Sequence, residues 1–124
     1  MIERIYERLA VLGYVDLSGM DKVLIESELE RVQAYVQNFC NLKEIPIELI
    51  PRIVDEVCRL FLSLKKNAGQ LDGFCYEQAV KSISEGDVSI TFSDGESDAV
   101  RFEKLLSALA LQDNELMAFR RLRW

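Results

Sequence analysis

Carboxylates are the side chains best able to do chemistry in this chain. It carries 21 Asp and Glu among 124 residues, against 15 Lys and Arg and no histidine. Two carboxylates can share general acid and base work, but here they are so numerous and so dispersed that spacing singles out no pair. Without histidine, Ser-His-Asp and Cys-His constellations lack their base and a His-ligated metal centre lacks its ligand. The three cysteines, Cys40, Cys58 and Cys75, stand 18 and 17 residues apart with no CxxC. Structural zinc uses four closely spaced N or S ligands, so Cys40 and Cys58 read instead as small buried hydrophobes. One acidic stretch, Glu85, Asp87, Asp94, Glu96 and Asp98, lacks the alternating ligand frame and closing bidentate Glu of an EF-hand loop. It reads as solvated surface. Neither GxxxxGK[ST] nor GxGxxG occurs. These residues predict no enzyme, no metal and no cofactor.

Two stretches are built for contact. The first is the C-terminus, Phe119-Arg120-Arg121-Leu122-Arg123-Trp124, which alternates bulky apolar and cationic side chains and ends on the single Trp of the chain. Trp and Arg are enriched at interaction hot spots. The residues leave two readings open: the terminus engages a partner, or its apolar side chains fold back on the body while the arginines stay wet. The second stretch is residues 80–92, where Val88, Ile90 and Phe92 alternate with polar residues at the period of a half-buried strand. Gly86 supplies the positive φ of a tight turn. A two-residue turn at Glu85-Gly86 and a type I turn through Ser84-Glu85 with Gly86 as bulge are both compatible. The hairpin contact residues are Ser84, Glu85, Gly86, Asp87, Val88 and Ile90. An isolated hairpin is marginal in water, so it must lean on helices or on another molecule.

The elements that would position these stretches are helical. Ile2, Ile5, Leu9 and Leu12 repeat at spacings of three and four, predicting a helix over about 2–12 that Gly13 caps. A second helix, about 20–40, puts Ile25, Leu29, Val32, Val36 and Phe39 on one face, with Ser18 or Asp21 as N-cap. A third spans about 46–66 and is central, because Ile53, Val54, Val57, Leu60, Phe61 and Leu64 give it a broad apolar face. Pro51 requires that this helix either starts there or bends there. A fourth covers about 99–111, with Phe102, Leu105, Leu106 and Leu109 inward. Residues 112–124 lose periodicity and read as an irregular tail. The expected fold is mainly α: a single domain of 1–124, a four-helix bundle-like array with one small β-hairpin.

The net charge is −6, and three of the basic residues sit within the last five positions, so the body is more acidic still. Such a body repels nucleic acid, whose non-specific affinity comes from Lys and Arg neutralising phosphates. Charges interrupt every apolar run, excluding a bilayer span. The opening residues do not read as a secretory signal, which predicts a cytoplasmic protein.

The order of features resembles a known family. A long helix is followed by the helix start Ile45-Pro46 and by Leu64-Lys65-Lys66-Asn67-Ala68-Gly69-Gln70. Then come Ala79-Val80-Lys81-Ser82-Ile83-Ser84-Glu85-Gly86-Asp87-Val88-Ser89-Ile90 and the Arg-Arg-Leu-Arg-Trp ending. From about Gly13 to Trp124 the chain is similar to the small head–tail connector, or head-completion adaptor, proteins of long-tailed phages and prophages of Gram-positive bacteria. The resemblance implies a mainly helical subunit that binds the portal protein after DNA packaging. Copies would assemble there as a ring, dodecameric in the family, that extends the DNA channel without specific DNA binding. The ring would also offer a docking surface to other connector or tail-completion proteins. It implies no catalysis and no cofactor, and a location in the host cytoplasm during assembly and then at the head–tail interface of the virion. The alternative the residues support is a small non-enzymatic regulatory or interaction module acting as monomer or dimer.

Overall fold

A computed structural model describes residues 1–14, 17–68 and 98–120, and these are mainly helical, with no strand among them. The first helix, α1, is Ile2–Val11, and it buries Ile5 and Leu9 as its apolar spacing requires. Gly13 ends it with φ 105°, a backbone that a side chain would strain. That turn lets the Tyr14 N–H reach the Leu9 carbonyl at 2.8 Å.

The long helix α2, Gly19–Cys40, opens on a reciprocal capping box. The Ser18 hydroxyl accepts from the Asp21 N–H and the Asp21 carboxylate accepts from the Ser18 N–H, both at 3.1 Å. Its buried residues are Asp21, Ile25, Glu28, Val32, Val36 and Cys40. The expected stripe through Leu29 and Phe39 is therefore rotated: those two are only partly buried. A 3.5-residue seam drifts off the face of a straight helix within a few turns, and α2 follows the wider spacing, which brings Glu28 and Cys40 inward. Asn41 closes it in the left-handed conformation at φ 56°.

Pro51 divides the expected 46–66 helix. A 3₁₀ turn occupies Ile47–Leu49, and the α-helix proper, α3, is Ile50–Asn67 with Pro51 in its first turn. There the missing N–H has no intrahelical partner to lose. Ile53, Val54, Val57, Cys58, Phe61 and Leu62 are buried along it, and α3 packs against both α1 and α2.

Helix α4, Asp98–Leu109, also lies on α3 and buries Phe102, Leu105 and Leu109. It ends two residues before the expected boundary. Beyond it, residues 112–120 are not uniformly irregular: a short helix, α5, forms over Asp113–Met117, buries Leu116 completely and packs on α2. Periodicity does not reveal α5 because one turn carries a single inward residue. The expected hairpin at about 80–92, with Ser84, Glu85, Gly86, Asp87, Val88 and Ile90, lies outside the described residues, as do Arg121, Leu122, Arg123 and Trp124. Among the described residues no helix is long and apolar enough to cross a membrane.

Candidate interaction surface

The site is assembled on the polar edge of α3. Arg52, Asp55, Glu56 and Arg59 recur at helical spacing beside the apolar face, so one side of the helix is both charged and close to the core. Arg52 is the hub. Its guanidinium donates to the Ala110 carbonyl at 2.8 Å, to Glu115 at 3.0 and 3.3 Å, and to Asp55 at 3.1 Å. Asp55 also receives Arg8 of α1 at 3.0 Å. Burial pushes the Asp55 carboxyl above its ordinary range, against the pull of Arg8 and Arg52. One turn further on, Glu56 accepts the Leu111 N–H at 2.7 Å and also pairs with Arg59. That pairing raises the Arg59 pKa.

Together Arg52 and Glu56 take the carbonyl of residue 110 and the N–H of residue 111, the backbone groups that would otherwise continue α4. This is why the helix stops at Leu109 and the chain turns into α5. A groove of about 800 Å³ opens beside this clasp, between α1, α3 and the end of α4.

The turn leads to the surface of α2. The Cys40 thiol donates to the Leu116 carbonyl at 3.5 Å. The Tyr35 hydroxyl donates to Asp113, and this hydrogen bond raises the Tyr35 pKa. Tyr35 stacks on Phe39 with centroids 5.9 Å apart, and the Arg120 guanidinium lies 5.4 Å from the Phe39 ring centre, within cation–π reach. Of the expected contact residues, Phe119 is therefore half-buried against the core and Arg120 is exposed over an aromatic face.

A second polar cluster sits at the other end of the α2–α3 pair. Asp21, only 3% exposed, accepts from Lys65 at 2.7 Å and from the Tyr14 hydroxyl at 3.0 Å. Burial works to raise its pKa, but the bonds from Lys65, the Ser18 N–H and Tyr14 prevail and hold it below the ordinary value. The Lys65 bond to Asp21 correspondingly raises the lysine pKa. The cluster ties the helix pair together through Asp21 of α2 and Lys65 of α3. Cys40 and Cys58 are free and buried. Burial pushes the Cys58 thiol up to about 12, so it is neither a nucleophile nor a ready ligand. Among the described residues no group of carboxylates and thiols is placed to hold a metal ion.

Reading by residue type misses Arg52, Glu56, Tyr35 and Glu115 as organising residues. The signal for Arg52 and Glu56 is a run of charges flanking the apolar face of α3, which looks like a solvated flank until α5 covers it, and Tyr35 and Glu115 carry no such signal. Comparison with protein-family models, with curated proteins and with solved structures finds no match for this chain.

Proposed function

We propose that this chain is a structural head–tail connector of a tailed phage or prophage. It binds the portal protein as a ring after packaging, extends the channel through which DNA passes without specific binding, and docks the next connector or tail-completion protein. The reading starts from the sequence resemblance. The observation that carries it further is the clasped C-terminal segment. Residues 110–120 are fixed to α3 through Arg52 and Glu56 and to α2 through Cys40 and Tyr35. Arg120, at the start of the basic-aromatic ending, lies over Phe39, which supports a part that meets a partner in one orientation. The acidic body supports the conduit role, since it repels the phosphate backbone.

The test is electron microscopy of the full chain mixed with the portal protein of the same phage or prophage. A ring of added density on the portal is the expected result. Deleting residues 121–124 should leave helicity nearly intact and abolish that ring. A full-length chain that adds no density to the portal refutes the connector role, and a truncated chain that still forms the ring refutes the part assigned to the terminus.

A further inference from the structure

A second groove, about 380 Å³, lies between α2, α3 and residues 111–113. Its apolar lining is Val32, Leu60 and Leu111, and three carboxylates, Glu28, Glu56 and Asp113, face it against one guanidinium, Arg31. Glu56 and Asp113 are hydrogen-bonded within the chain. Glu28 is not. It is only 8% exposed, and among the described residues its one ion pair is with Arg31, whose Nη1 lies 3.7 Å away on a side chain 76% exposed. That distance is too long for a hydrogen bond. A carboxylate removed from water without donors carries a desolvation penalty, and a cation entering the groove would relieve it. The lining thus asks for an occupant with a guanidinium or ammonium group beside a bulky apolar side chain. Tyr35, on the same wall, offers a ring to the cation.

We propose that this groove receives the Arg121-Leu122-Arg123-Trp124 segment of a second copy of this chain. The segment has the required chemistry, with arginines for Glu28 and Asp113, and Leu and Trp for the apolar lining. The chain's own Arg120 already makes the same kind of contact one station away, over Phe39, which stacks on Tyr35. A terminus on one copy and a groove on the next are two different patches, and repeated head-to-tail use of such patches closes a ring. The choice of a second copy rests on the connector reading above.

The experiment uses the full chain carrying Arg121→Ser and Arg123→Ser, so that its own terminus cannot compete, with a fluorescent peptide of residues 118–124 as probe. Anisotropy at low salt should show saturable binding with one peptide per chain. Adding Glu28→Gln should weaken binding roughly tenfold, the size of one lost charge-assisted hydrogen bond. Glu48→Gln, an exposed acid on the 3₁₀ turn, should leave it unchanged, and thermal melts confirm that each variant is folded. The dilute wild-type chain should bind the peptide as well as the serine variant does. No saturable binding, or equal weakening by Glu28→Gln and Glu48→Gln, overturns the groove. A wild-type chain that excludes the peptide at dilution assigns the groove to its own terminus and overturns the second copy. Portal association is read separately: peptide binding without portal binding rejects the connector alone, and portal rings formed by the Glu28→Gln chain at the same concentrations as by the wild-type chain reject the groove contact alone.

Discussion

Replacing Arg52 by methionine tests whether the polar edge of α3 is a clasp or a solvated flank. Methionine keeps the aliphatic stem and removes every donor, leaving the Ala110 carbonyl and Glu115 without Arg52 and leaving Asp55 with Arg8 alone. Hydrogen bonds to charged groups contribute about 1.5–3 kcal/mol each when shielded. The Arg52 and Glu115 side chains are 26% and 35% exposed, so their ion pair is screened and counts for about 1 kcal/mol. The orphaned carbonyl and the loosened Asp55 add a similar amount each, giving a loss of about 2–3 kcal/mol. Against a total stability on the order of 10 kcal/mol for a chain of this size, that is a large fraction. Thermal denaturation should show a midpoint roughly 10 °C lower. A double-mutant cycle with Glu115→Gln should give a coupling of about 1 kcal/mol. Hydrogen exchange at Leu111 and over residues 113–119 should speed up before exchange in α2 does. A loss below about 0.5 kcal/mol, typical of a surface substitution, or a vanishing coupling to Glu115 would refute the clasp.

Asp21→Asn should cost about 2 kcal/mol at neutral pH, because it removes the negative charge to which Lys65, the Tyr14 hydroxyl and the Ser18 N–H donate. The folded pKa of Asp21 lies below the ordinary 3.8, so its contribution is present above that pH and fades as pH falls through the folded value. The gap between variant and wild type should therefore narrow at pH 3, and equal gaps at pH 3 and pH 7 would contradict the assignment. In a Cys75→Ser background, the remaining thiols should resist a maleimide at pH 8. For Cys58 the thiolate fraction alone slows labelling roughly a thousandfold relative to a free cysteine, and fast labelling mapped to Cys58 in the native chain would rule out its burial. Pro51→Ala should destabilise by less than about 1 kcal/mol, since the ring only pre-sets the first turn of α3. A larger loss in denaturant titration would mean that Pro51 does more than begin the helix.

The elements whose apolar residues repeat over several turns were legible in the sequence, because only burial enforces such a repeat. Ile5 and Leu9 on α1, and Ile53, Val57 and Phe61 on α3, face the core as their spacing indicates. Gly13 was legible too, since a positive φ selects glycine. What escaped was decided by tertiary partners. Nothing in Ala110-Leu111-Gln112 marks a helix end, because the groups that stop α4 belong to Arg52 and Glu56, more than fifty positions earlier. Leu116 carries no periodic signal in a helix of five residues. Glu28 counts as a surface residue by type and lies inward because the buried face of α2 runs through Asp21, Ile25, Glu28, Val32, Val36 and Cys40 instead of along a 3.5-residue seam.

The clasp also explains why so short a helix is present at all. Burying one leucine contributes about 2–3 kcal/mol, while ordering each backbone residue costs about 1–2 kcal/mol, so Leu116 cannot by itself hold the five residues of α5. Arg52 and Glu56 contribute by seating the preceding turn, whose carbonyl and N–H need partners wherever they are not solvated, and Tyr35 and Cys40 add bonds to Asp113 and to the Leu116 carbonyl. Partly exposed charges do this differently from a larger apolar patch. They fix direction through hydrogen-bond geometry, yet they weaken with salt and exchange readily for other charges. On the proposed reading, that combination suits a terminus that keeps one orientation until the charged groups of a partner compete for it.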